Sequence, residues 1–195
     1  YTSIRNIKSK SVEHLKELRK AGYNYLYIGL ETGDDELLEY MCKGYTAEDE
    51  YRELKKLEDA GMDYNALLVM GLGGRDNYKD SACATVKLLN RFKPDKIFIT
   101  STAIEENTLL AERVNSGEFQ LATERDLIKE ELMLLEKLEM NDDCLYFGSH
   151  PHNLIGVTDY FINRDVMVSQ IRQKAAEIDA EKPGLLDQSL SRGHL

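Results

Sequence analysis

No stretch of this 195-residue chain is apolar for long enough to cross a bilayer: the longest such run is residues 66–72, and a spanning helix needs about 20. The opening, YTSIRNIKSK, lacks the zones of a signal peptide. Cysteine is scarce. Cys42, Cys83 and Cys144 are odd in number and far apart. That excludes a disulfide framework or a metal knuckle and points to a reducing cytoplasm. Positive charge is also short, with 25 Lys and Arg against 35 Asp and Glu and a net charge of −10. Such a balance argues against broad binding to nucleic acid or an anionic membrane. There is no low-complexity tract and no clear linker. Tyr1 stands where Met would open a natural chain, so the expectation is a segment of a longer protein.

What the chain has is alternation. Residues 11–21 carry Val12, Leu15 and Leu18 on one helical face, with Ser11 as N-cap and Gly22 as stop. Further helices are predicted near 34–42, from Thr46 to Gly61 with Asp49 closing a capping box, and near 77–92. Between them lie apolar runs that predict strands near 25–30, 65–71 and 96–101. LRKAGYNY at 18–25 is echoed by LEDAGMDY at 57–64, a repeat of one helix–strand unit. Strands apolar on both faces and separated by helices mean a parallel sheet covered by helices. Three consecutive units of a barrel or an open α/β sheet are therefore expected. Beyond Thr102 come a long amphipathic helix at 123–140 capped by Thr123, a short strand in CLYFGSH, and a last helix at 163–179. The remainder from Glu181 is expected to be frayed or extended.

In parallel α/β folds ligands lie at the carboxyl ends of strands. Glu31 sits at such an end, in register with Tyr25, Tyr27 and Gly29. A carboxylate there can take two hydrogen bonds from a vicinal diol such as a ribose, or simply face the dipole of the following helix. Lys43, before Gly44, can hold a ligand carboxylate or complement a helix C-terminus. GLGGRDN at 71–77 is a tight turn whose amides could approach a ligand, but it is neither a phosphate loop nor a dinucleotide fingerprint. His150 and His152 give only two ligands in a proline turn, too few for a metal site.

Taken together, LRKAGYNYLYIGLETGDDELLEYMCKGYT, LEDAGMDYNALLVMGLGGRD and FKPDKIFITSTAIEENTLL resemble the radical S-adenosylmethionine (SAM) superfamily. The match looks closest to its coproporphyrinogen oxidase-like branch of iron–sulfur oxidoreductases. These stretches are similar to the fourth, fifth and sixth strands of that family's barrel. SGEFQLATERDLIKEELMLLEKLE and SHPHNLIG are similar to the tail of one bacterial subfamily of unassigned substrate.

The resemblance implies half of a partial (β/α)6 TIM-type barrel with parallel strands at residues 1–118, a helical extension at 119–180 and a flexible tail at 181–195. It implies a share of a SAM pocket: Glu31 on the ribose, Lys43 on the carboxylate, Leu68 and Met70 toward adenine, and backbone contact near Ala103 and Ile104. No residue here is expected to be catalytic or to hold metal. The family's Cys-x3-Cys-x2-Cys loop for a 4Fe–4S cluster and its Gly-Gly-Glu motif are absent, so the chain alone should be inactive. Thr32 stands where Ser is commoner, and IEENTLL replaces a Pro-Gly-Thr-Pro pattern. The full-length protein would use SAM and a 4Fe–4S cluster to abstract hydrogen from an unknown small-molecule or protein substrate, with flavodoxin or ferredoxin as reductant. No nucleic-acid or membrane partner is expected, and self-association through an exposed half-barrel face is. The rival readings are a non-catalytic α/β binding or scaffold domain, and a barrel enzyme using Glu31 as general base.

Overall fold

The computed structural model describes residues 1–190 and 192. In chain order the elements are β1 (Thr2–Ser3), α1 (Ile4–Lys8), α2 (Val12–Lys20), β2 (Tyr25–Glu31), α3 (Asp35–Tyr40), α4 (Ala47–Ala60) and β3 (Asp63–Met70). There follow α5 (Lys79–Arg91), β4 (Lys96–Ser101), α6 (Leu109–Ser116), α7 (Glu124–Lys137), β5 (Leu145–Phe147), β6 (Thr158–Tyr160) and α8 (Arg164–Glu181). The strands form one sheet in the order β1-β2-β3-β4-β5-β6. All neighbours are parallel except β5 and β6. The three long strands lie side by side in chain order, as the helix–strand alternation predicts.

Local chemistry sets the helix starts. Ser11 Oγ accepts the His14 amide at 3.2 Å. Thr46 with Asp49, and Thr123 with Asp126, each complete a reciprocal capping box. At the far end of α4, Gly61 takes φ 65 and stops the helix.

The two faces of the sheet differ. Ile28, Leu30, Tyr64, Ala66, Leu68, Met70, Ile97 and Ile99 are buried in the core that the helices cover. Tyr27, Gly29, Leu67, Val69, Phe98 and Thr100 alternate with them and stay half-exposed on the other face. Across that open face runs an aromatic row, with Tyr27 to Phe98 at 5.5 Å and Phe98 to Phe147 at 5.4 Å between ring centres. The half-exposed apolar face is what a barrel cut lengthwise would show.

The C-terminal part is more than helices. It contributes β5 and β6 to the same sheet, and Leu127, Leu134 and Leu135 of α7 join the same core as Leu68 and Leu88. The expected fraying after Glu181 is corrected for the described residues. Leu186 is fully buried. The carbonyls of Leu186 and Gln188 accept the amides of Arg125 and Glu124, whose helix start needs acceptors. Ser191 and residues 193–195 lie outside the described residues. Among the described residues no helix is long and apolar enough to cross a membrane.

Candidate functional site

Glu31 ends β2 at a register shift between Gly29 and Glu31. Its backbone is left-handed, with φ 68, a conformation that costs a residue with a side chain free energy. The surroundings hold it there. Tyr45 Oη donates toward the carbonyls of Gly29 and Leu30, at 3.1 and 3.2 Å. The hydroxyl of buried Thr32 lies 3.0 Å from that of Ser81 on α5, and the Gly33 amide donates to Thr85 Oγ1 at 2.9 Å. A hydroxyl is what this anchor requires, so Thr32 keeps the chemistry of the commoner Ser. The Glu31 carboxylate then folds back over Gly29, where a Cβ would stand 2.9 Å from Oε1.

Lys43 meets it. α3 closes with Cys42 at φ 54, and the amides of Cys42 and Lys43 donate to the carbonyls of Glu39 and Leu38. This Schellman-type ending reverses the chain. It brings Lys43 Nζ to 3.4 Å from Glu31 Oε2, both side chains being partly exposed. The two candidate ligands that the sequence separates by twelve residues thus converge at the carboxyl end of β2. Behind them on α4, Glu50 is wholly buried, and neither carboxyl oxygen has a partner among the described residues. Burial, then the charges of Asp35 and Glu31, raise its pKa to about 9, so it is neutral at pH 7.

The other expected contacts are placed differently. Leu68 and Met70 are 3% and 2% exposed, on the helix-covered face away from Glu31. It is Leu67 and Val69 that share the open face. The Met70 carbonyl is also occupied, by the amide and hydroxyl of Thr102 at 2.9 and 2.7 Å. Ala103 and Ile104 are half-buried, and the Ile104 amide donates to the Arg192 carbonyl at 3.2 Å. The glycine turn is likewise engaged internally. Gly71 donates its amide to Glu130 Oε2 at 2.9 Å, and the Gly74 and Arg75 amides go to Gly71 and Gln120.

Sequence reading missed Glu130, Tyr45 and the Thr100–His150 contact of 3.0 Å. Each acts across a fold contact that no local pattern records. Among the described residues no three His, Cys, Asp or Glu side chains converge on a metal site. Cys42 and Cys83 are exposed and Cys144 is buried, on separate elements. This set does not fit a cluster, which needs convergent thiolates.

The fold and this strand-end pair define a parallel α/β half-barrel with a polar mouth. The family model of the radical SAM superfamily matches residues 2–84. A tRNA uridine(34) acetyltransferase of Methanocaldococcus jannaschii is 28% identical over 118 residues, 60% of this chain and 22% of that protein. A probable threonylcarbamoyladenosine tRNA methylthiotransferase of Pyrococcus abyssi is 27% identical over 94 residues, 46% of this chain and 21% of that protein. The chain thus spans about a fifth of the length of these curated relatives. Among solved structures, the archaeal Methanocaldococcus infernus Elp3 with an N-terminal deletion superposes with TM-score 0.65 at 18% identity. That likeness covers 93% of this chain and 45% of the other, and shows a shared fold. The sequence matches support the radical SAM superfamily. They do not single out the coproporphyrinogen oxidase-like branch.

Proposed function

We propose that this chain supplies the C-terminal half of a radical SAM barrel and, with it, part of the SAM pocket of an oxidoreductase. The observation that carries this is the convergence of Glu31 and Lys43 at 3.4 Å over the open face. A carboxylate held above Gly29 suits the paired hydroxyls of a ribose, and an ammonium beside it suits a carboxylate. Without ligand the two neutralise each other, so binding exchanges one ion pair for two ligand contacts. Val69 and Leu67, rather than Leu68 and Met70, would offer apolar contact. Beside a reduced 4Fe–4S cluster, bound SAM supplies hydrogen-abstraction chemistry. The cluster ligands would come from outside this chain, because its own cysteines do not fit. A flavodoxin or ferredoxin would serve as reductant in a cytoplasmic setting. The two curated relatives carry tRNA in their names, which makes a nucleic-acid substrate the second reading, against a segment charge of −10.

The test is SAM titration into the full-length protein, reconstituted without oxygen. Glu31→Gln and Lys43→Met should each weaken binding by about 1.5–3 kcal/mol, as lost charge-assisted hydrogen bonds do. Melting temperatures should barely move, since a partly exposed pair is worth about 0–1 kcal/mol. Unchanged SAM affinity in both variants would remove the assignment.

A further inference from the structure

The mouth of the open face has a second polar group, one strand pair away from Glu31. Thr100 alternates with Phe98 and Lys96 along β4 and so lies on that face. It pairs with Val69, the residue after Leu68, which is the register partner of Glu31 across the strand pair. Two strand spacings, roughly 10 Å, separate β2 from β4. Thr100 Oγ1 stands 3.0 Å from Nδ1 of His150, in the loop that follows β5.

The ring's tautomer follows from its partners. The backbone amide of His152 donates to the same Nδ1 at 3.2 Å. An amide can only donate, so Nδ1 is an acceptor and the proton of the neutral ring sits on Nε2. Burial, and then His152, lower the His150 pKa, which favours the neutral ring. Among the described residues no acceptor takes that Nε2 proton.

The loop is built to present the ring. Asn153 Nδ2 donates to the carbonyls of Ile99 and Gly148, at 3.0 and 2.7 Å. Its Oδ1 accepts from the Ser101 hydroxyl at 2.8 Å. Gly148 and Gly156 pack so closely that a Cβ would come 2.8 Å from Glu131 Oε1 in the first case and 2.8 Å from Ser149 Cα in the second. One layer below the mouth lie Phe98 and Phe147. A fixed polar group beside an apolar, aromatic surface is how small-molecule sites orient a ligand.

We propose that His150 is a substrate-binding residue, its Nε2–H donating to a carbonyl or carboxylate oxygen of a substrate whose apolar body rests on Phe98 and Phe147. The assignment rests on the radical SAM reading for what is done to that substrate, and not for its binding. The probe is sodium benzoate, titrated into the full-length protein and followed by imidazole 15N–1H correlation spectra. The spectra should show His150 as the Nε2–H tautomer, with benzoate shifting that resonance. Benzylamine, which has no acceptor oxygen, should leave it in place. His150→Ala should weaken benzoate about ten- to a hundredfold, the range of one hydrogen bond to a charged group. His150→Gln, which keeps a side-chain N–H, should restore much of it, and SAM affinity should be unchanged in both. A Nδ1–H tautomer, or equal benzoate affinity in wild type and His150→Ala, would overturn the proposal. A wild type that binds benzoate through His150 but fails to bind SAM would strike the radical SAM reading alone.

Discussion

Glu31 pays for its position in backbone conformation. At φ 68 its Cβ crowds the following carbonyl, at a cost of about 1–2 kcal/mol, and strain of this kind gathers at functional sites. The consequence is an inverted substitution order. In an ordinary strand alanine outperforms glycine, but at position 31 Glu31→Gly should be more stable than Glu31→Ala by about 1 kcal/mol. Chemical denaturation of the two variants measures this, and alanine proving the more stable would refute the strain. Glu31 was legible in the sequence because an acid ends an apolar run, and Lys43 because a cation precedes a glycine turn. Leu68 and Met70 were not separable from Leu67 and Val69. Residues 66–70 are apolar without a break, so the period-two signal that assigns faces is missing.

Helices α2, α4 and α7 were legible through their caps, whereas α1 and α6, capped by Ser3 and Thr108, were not predicted. Ser11, Thr46 with Asp49, and Thr123 all mark starts that the fold confirms. β1 and β6 were not, because Thr2–Ser3 and Thr158–Tyr160 are too short to carry a period and are strands only through their partners. The long-range clasp of α7 was equally invisible. Its Glu130 reaches 59 residues back to Gly71, and the neighbouring Glu131 accepts from Tyr146 Oη at 2.9 Å. Burial raises the pKa of both to about 7. The folded state therefore holds protons that the unfolded chain has released, so stability should fall as pH rises from about 4.5 to about 7. Glu130→Gln keeps an acceptor for Gly71 and removes the titration. Unfolding free energy measured across that window should decline less steeply in this variant than in wild type. An unchanged slope would show that Glu130 titrates normally in the fold.

At the scale of the molecule, one face of the sheet is packed and the other is not. Tyr27, Leu67, Val69, Phe98 and Phe147 are half-exposed together, and contiguous apolar surface of this kind is usually covered by a partner. The isolated 195-residue chain should accordingly self-associate in sedimentation experiments, and Phe98→Lys should shift it toward monomer. A wild type that stays monomeric at high concentration would show that the face needs no cover. The central claim is narrower: that the carboxylate above Gly29 reads the hydroxyls of a ribose. It is tested most directly by comparing SAM with its 2′-deoxy analogue on the full-length, reconstituted protein, in wild type and in Glu31→Gln. The wild type should bind the analogue at least about tenfold more weakly than SAM, the loss of one charge-assisted hydrogen bond, and Glu31→Gln should discriminate much less. Equal discrimination by the two proteins would contradict the assignment of Glu31.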